Sequence, residues 1–139
     1  MVDLAAIREG LATNLSVIAD TQISPYMLAN PTPPCIQVMG PDEVTYDVTF
    51  GRGSDSWMMI VQAFVASVGD IAAQARLDKM LHPTGPESIK EAIESDRTLG
   101  GSAKDLRVVR SSGYQQYNLE GRGPVLGAEF TVQVETSNY

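Results

Sequence analysis

The stretch WMMIVQAFVAS, residues 57–67, is apolar throughout apart from Gln62 and the closing serine. A strand with one solvated face alternates apolar and polar residues. A run that does not alternate, and is rich in β-branched and aromatic side chains, predicts a central strand covered on both sides. Just upstream, EVTYDVTF at residues 43–50 does alternate: Val44, Tyr46, Val48 and Phe50 point one way, Glu43, Thr45, Asp47 and Thr49 the other. That pattern predicts a neighbouring strand with one wet face. GRGSDS, residues 51–56, then reads as the glycine-rich turn between the two strands.

Further upstream, YMLANPTPPCIQVMG at residues 26–40 sets Pro31, Pro33 and Pro34 between apolar flanks. A proline-rich ligand needs a solvated, polar setting because the extended proline helix has no internal hydrogen bonds. The flanks ISPYML and CIQVM instead predict two paired strands, with residues 30–34 as the corner between them. At the N-terminal end Leu4, Ile7, Leu11, Leu15 and Ile18 recur at helical spacing and predict an amphipathic helix over residues 2–19.

Downstream, DIAAQARLDKMLH predicts a second helix with Asp70 as its cap, Ile71, Leu77, Met80 and Leu81 on its apolar stripe, and Lys79 and His82 near its carboxyl end. HPTGP stops it. ESIKEAIESD predicts a short third helix, with Thr84 and Glu87 spaced as a capping box, Pro86 in the first turn, and Ile89 and Ile93 facing inward. The last two strands, DLRVVRSSGYQQYNL and VLGAEFTVQVET, form a hairpin around EGRGP. Leu126, Ala128, Phe130, Val132 and Val134 occupy one face of the second strand, and Ser111, Ser112 and Gly113 signal a bulge in the first. The whole, residues 1–139, is expected to be a single α+β domain: an antiparallel sheet with an N-terminal helix and two central helices packed against it.

The formal net charge of -7 opposes polyanionic partners, since nucleic-acid binding relies on lysine and arginine neutralising phosphates. Cys35 is the only cysteine, so no intramolecular disulfide can form. Asp3 and Glu9 interrupt the first apolar stretch and speak against a signal peptide or membrane span there, so a soluble protein is expected.

No catalytic constellation emerges. His82 is the only histidine and ends a helix where a cation is expected anyway, while Cys35 in its apolar run reads as a small buried hydrophobe. Zinc would lack ligands, and GRGSDS lacks both the third glycine of a dinucleotide loop and the GK[ST] end of a P-loop. Glu43 with Asp47, or Glu129 with Glu135, would supply paired carboxylates, but each pair sits on the wet face of a strand. No catalytic, cofactor or metal residue is assigned, and the protein is expected not to be an enzyme. The abundance of Thr and Glu on wet faces, and two Gly-Arg-Gly loops at residues 51–53 and 121–123, suit a surface that meets copies of itself.

The blocks MVDLAAIREGLATNL, YMLANPTPPCIQVMGP, YDVTFGRGSDSWMMIVQAFV, SIKEAIESDRTLGGSAKDLRV, GYQQY and VLGAEFTVQV, in that order, resemble the tail-terminator proteins of long-tailed bacteriophages, especially those infecting actinobacteria. The resemblance implies a virion structural protein, assembled in the host cytoplasm and located at the head-tail interface. It would form a homo-oligomeric ring, usually a hexamer, that caps the tube of the major tail protein, halts its growth and offers a surface to the neck or stopper protein. Genomic DNA would pass through the ring without specific binding, and no membrane is involved. Within that picture Arg52, Asp55 and Trp57 are the candidates for a subunit contact, because opposite charges beside a large apolar ring suit an interface centre. Glu43, Asp47, Glu129 and Glu135 are the candidates for the channel lining. A head-to-tail connector or stopper is the alternative within the same particle, and a small-molecule binding domain the alternative of a different class.

Overall fold

The computed structural model describes residues 3–29, 33–48, 50–51, 53–67, 71–119 and 123–137. Its elements in chain order are α1 (Leu4–Leu15), β1 (Gln22–Ser24), β2 (Cys35–Thr45), β3 (Ser54–Ser67), α2 (Ile71–Leu81), α3 (Ile89–Ile93), a 3-10 turn (Leu99–Gly101), β4 (Asp105–Leu119) and β5 (Gly123–Ser137). The strands form one five-stranded sheet in the order β1-β2-β3-β5-β4, so the unbroken apolar strand is indeed the central one. The fold is α+β, as the sequence predicts.

Side-chain parity shows where the helices sit. Met59, Val61, Ala63 and Val65 of β3 are buried, and the register sets Ile36 and Val38 opposite Ala63 and Val61 on one side and Val132, Phe130 and Ala128 opposite Met59, Val61 and Ala63 on the other. Leu106 continues the row opposite Val134. These residues share one core with Ile7, Leu11 and Leu15 of α1, Leu77 and Met80 of α2, and Ile89 and Ile93 of α3. All three helices therefore cover the same face. Burying such side chains contributes roughly 1.5–3 kcal/mol each relative to exposure.

The expectation that β3 is covered on both sides is corrected by its other face. There Met58 and Ile60 are only half-buried. Gln62 and Phe64 are buried by local devices: Gln37 Nε2 donates to Gln62 Oε1 at 3.1 Å, the Leu28 N–H donates to Gln37 Oε1 at 2.9 Å, and the Tyr117 ring meets Phe64 edge-on at 5.4 Å. Gly127 makes that pair possible, since a Cβ there would lie 2.6 Å from the Ala63 carbonyl oxygen and 2.8 Å from the Phe64 ring.

β1 pairs with β2 in parallel, Gln22 opposite Cys35, so the sheet is mixed rather than wholly antiparallel. The strand expected across ISPYML stops at Ser24; of the corner, residues 30–32 lie outside the described residues. Arg8 of α1 fastens this side. Its Nη1 donates to the Pro25 and Val38 carbonyls at 3.0 and 3.1 Å, and its guanidinium lies 4.9 Å from the centre of the Tyr26 ring. β2 shifts register between Val38 and Gly40 and again between Pro41 and Glu43, then ends at Thr45. Tyr46, Val48 and Phe50 thus do not line a buried strand face; all three are exposed in the β2–β3 loop.

α1 starts where Asp3 Oδ1 accepts from the Ala6 N–H at 2.8 Å and stops at Leu15, short of residue 19, although Ile18 beyond it is still buried. In α2 the buried positions are Ala73, Leu77 and Met80, whereas Ile71 is exposed; Asp70 lies outside the described residues. α3 is capped by Ser88, whose hydroxyl accepts from the Glu91 N–H at 3.1 Å, and not by Thr84. Cys35 is fully buried, and burial pushes its thiol up to about 11. The bulge expected near Ser111–Gly113 is present: the β4–β5 register shifts between Ser112 and Gln115.

Candidate functional site

Because the helices occupy one face, the register defines what the other face presents. From β2 it takes Glu43 and Thr45, which lie opposite Met58 and Ser56 of β3. β5 adds Glu129, Thr131, Gln133 and Glu135, and β4 adds Arg107, Arg110 and Ser112. The result is a polar surface with a half-buried apolar seam, Met58 and Ile60, at its centre.

Local hydrogen bonds organise this surface. Arg107 Nε donates to Gln133 Oε1 at 3.3 Å, and Gln133 Nε2 donates in turn to Glu135 Oε1 at 3.0 Å and to Ser56 Oγ at 3.4 Å. Glu129 lies between Gln62 and Ser112 in the register. Its charge, after burial itself, raises the Tyr117 phenol above its ordinary range, and that phenol donates to the Gly113 carbonyl at 2.7 Å.

Three of the four channel candidates, Glu43, Glu129 and Glu135, thus share one face. Asp47 does not join them; it sits past the end of β2 with a positive φ of 52°, its N–H donating to Asp55 Oδ1 at 2.9 Å. Glu129 and Glu135 are six residues apart on one strand, about 20 Å along it, well beyond the roughly 5–9.5 Å at which two carboxyl groups flank a scissile glycosidic bond.

Of the predicted subunit contact, Arg52 lies outside the described residues and Asp55 is half-buried. Trp57 faces the helix-covered side of the sheet: its ring packs against the core, and its Nε1 donates to Thr136 Oγ1 at 2.9 Å. The exposed apolar groups of this region are instead Tyr46, Val48 and Phe50, with Phe50 fully exposed. Their alternation is visible in the sequence, but alternation alone does not tell a strand face from a projecting loop.

His82 is exposed beside a cleft of about 330 Å³ lined by Lys79, Thr84, Gly85, Pro86 and Glu87. Glu87 pairs there with Arg76 at 3.5 Å and Lys79 at 3.8 Å. A second depression of about 230 Å³ shares Gly85 and Pro86 and is lined by Val17, Ser88, Glu91, Ala92 and Ser95. The nearby Ser88 hydroxyl is engaged as the α3 cap and donates to the His82 carbonyl at 2.5 Å, so it is not poised as a nucleophile against the imidazole. Among the described residues no group of three or more His, Cys, Asp or Glu side chains could hold a metal ion, and no helix is long and apolar enough to cross a membrane.

No protein-family model matches the chain, and no curated protein matches it.

Proposed function

We propose that the chain is a virion structural protein, a tail terminator whose copies form a ring that caps the tail tube, stops its growth and joins it to the neck. The observation that carries this reading is the one-sided sheet: helices cover one face, while the other is polar and carries Glu43, Glu129 and Glu135 around a half-buried seam. The order of sequence blocks that resembles tail terminators supports the same conclusion.

A channel crossed by DNA benefits from walls that do not hold phosphate. Lysine and arginine bind phosphates by releasing counterions, and such contacts would retard the duplex. A lining of Thr, Gln and carboxylates repels weakly, over a range of about 8–10 Å at ordinary salt. The two arginines of this face, Arg107 and Arg110, both stand on the edge strand β4, and Arg107 is hydrogen-bonded to Gln133 within the surface itself. Replacing Glu129 and Glu135 by lysine, both on this face, tests the reading: the variant rings are expected to retain duplex DNA more strongly, and the gain to vanish as salt rises. Unchanged retention by assembled rings would put the carboxylates on the outside.

A further inference from the structure

The sheet keeps charges of opposite sign at its opposite edges. Both charged residues of β2, Asp42 and Glu43, are acidic, and both are exposed. Beyond Asp105, which pairs with Arg97 at 2.7 Å, the charged residues of β4 are Arg107 and Arg110, also exposed. β4 ends the sheet. On the other side β1 pairs with β2 only from Cys35 to Gln37, so among the described residues no strand pairs with the outer side of the rest of β2.

The register ties two of these charges together. Glu43 lies opposite Met58, Met58 opposite Gln133, and Gln133 opposite Arg107. One row across the polar face therefore starts on a carboxylate and finishes on a guanidinium. The strands also alternate in direction from β2 through β3 and β5 to β4, so β2 of a second copy placed beyond β4 would continue the antiparallel order. Backbone pairing is not what would join them. The Leu106 N–H already donates to Asp105 Oδ1 and the Val108 N–H to Glu94 Oε2, both at 2.9 Å, and an edge guarded by carboxylates resists strand addition. Long side chains can still bridge the gap. Arg107 gives its Nε to Gln133, which leaves its two Nη groups for a carboxylate.

We infer that Glu43 of one copy pairs with Arg107 of the next across the β2 and β4 edges, row meeting row around the ring. The inference rests on the ring reading and deepens it. Glu43 keeps its place on the channel face, because both ends of the row lie on that face, and the pairing withholds Arg107 from phosphate. The two edges of one chain differ, so the contact is head-to-tail, the kind that closes into a ring when the rotation allows.

Native mass spectrometry of wild-type chain, Glu43→Arg, Arg107→Glu and the double variant tests this. Both side chains are exposed, so thermal melts should match wild type. Wild type is expected to form a ring. Each single variant sets like charges opposite each other at every contact, and its ring should need at least about tenfold more chain to assemble. The double variant should form rings again. So should a 1:1 mixture of the two single variants, because one then presents two arginines and the other two glutamates, and alternating copies restore every pair. Single variants that assemble as readily as wild type, or losses that neither the mixture nor the double variant restores, would overturn this contact and leave the ring reading standing. Wild-type chain that stays monomeric at every concentration would overturn both.

Discussion

Gly127 should be irreplaceable on grounds of space alone. It faces Phe64 across the β3–β5 ladder, and a Cβ added there would sit 2.6 Å from the Ala63 carbonyl oxygen, 2.8 Å from Phe64 Cδ1 and 3.1 Å from Tyr117 Cδ2. The ring atoms can turn aside, but the carbonyl belongs to the backbone of the central strand and cannot move without displacing the ladder. Overpacking a closed site costs typically 1–3 kcal/mol, and a backbone clash places Gly127→Ala at the upper end, about 2–3 kcal/mol. A chain of this size has an unfolding entropy of roughly 0.3 kcal/mol/K, so the melting temperature should fall by about 7–10 °C. Calorimetry reads this directly. Combining Gly127→Ala with Phe64→Leu should recover only part of the loss, since the Ala63 carbonyl remains. A single-variant change within about 0.5 kcal/mol, the range of unremarkable surface sites, would refute the packing argument.

Two other perturbations address how the helices are held. Asn14 is buried and its Nδ2 donates to the Ile93 and Asp96 carbonyls at 2.9 and 3.0 Å, so Asn14→Ala should cost about 1–3 kcal/mol by taking this donor from the Ile93 carbonyl at the end of α3 and leaving the Asp96 carbonyl with the Leu99 N–H, as urea titration would measure. For Glu94, burial raises the carboxyl, but hydrogen bonds from Lys90 Nζ at 2.6 Å and the Val108 N–H at 2.9 Å hold it below its ordinary value overall. A depressed carboxyl stabilises the fold above its unfolded pKa and loses that contribution as pH falls through the folded one. The acid limb of a stability-versus-pH curve should therefore flatten in Glu94→Gln, and an unaltered limb would contradict the assignment.

Much of the scaffold is readable from local pattern. The helical stripe of α1 returns as Ile7, Leu11 and Leu15 in the core, and the alternation in β5 returns as Ala128, Phe130, Val132 and Val134 on the buried face. What escaped has identifiable physical causes. β1 is three residues long and joins in parallel to a strand beginning at Cys35, a partnership that no local periodicity encodes. The alternation of EVTYDVTF outruns its strand because residue types record apolar spacing, not hydrogen bonding; the ladder stops at Thr45 and Asp47 takes a positive φ. Trp57 suggested an interface anchor by its size, yet its parity with Met59 and its bond to Thr136 turn it to the core side. The carboxylate face was half legible: Glu129 and Glu135 follow from one strand's alternation, whereas their company with Glu43 needs the order β2-β3-β5.

The terminator reading is tested most directly by the length of tail tubes. A major tail protein, the partner this reading requires, would be polymerised alone and with the purified chain, and the tubes measured by electron microscopy. The account predicts that added chain arrests growth, with a ring visible at one end of each tube and none along its wall. Tubes that lengthen as freely with the chain as without it, and carry no ring at either end, would contradict it.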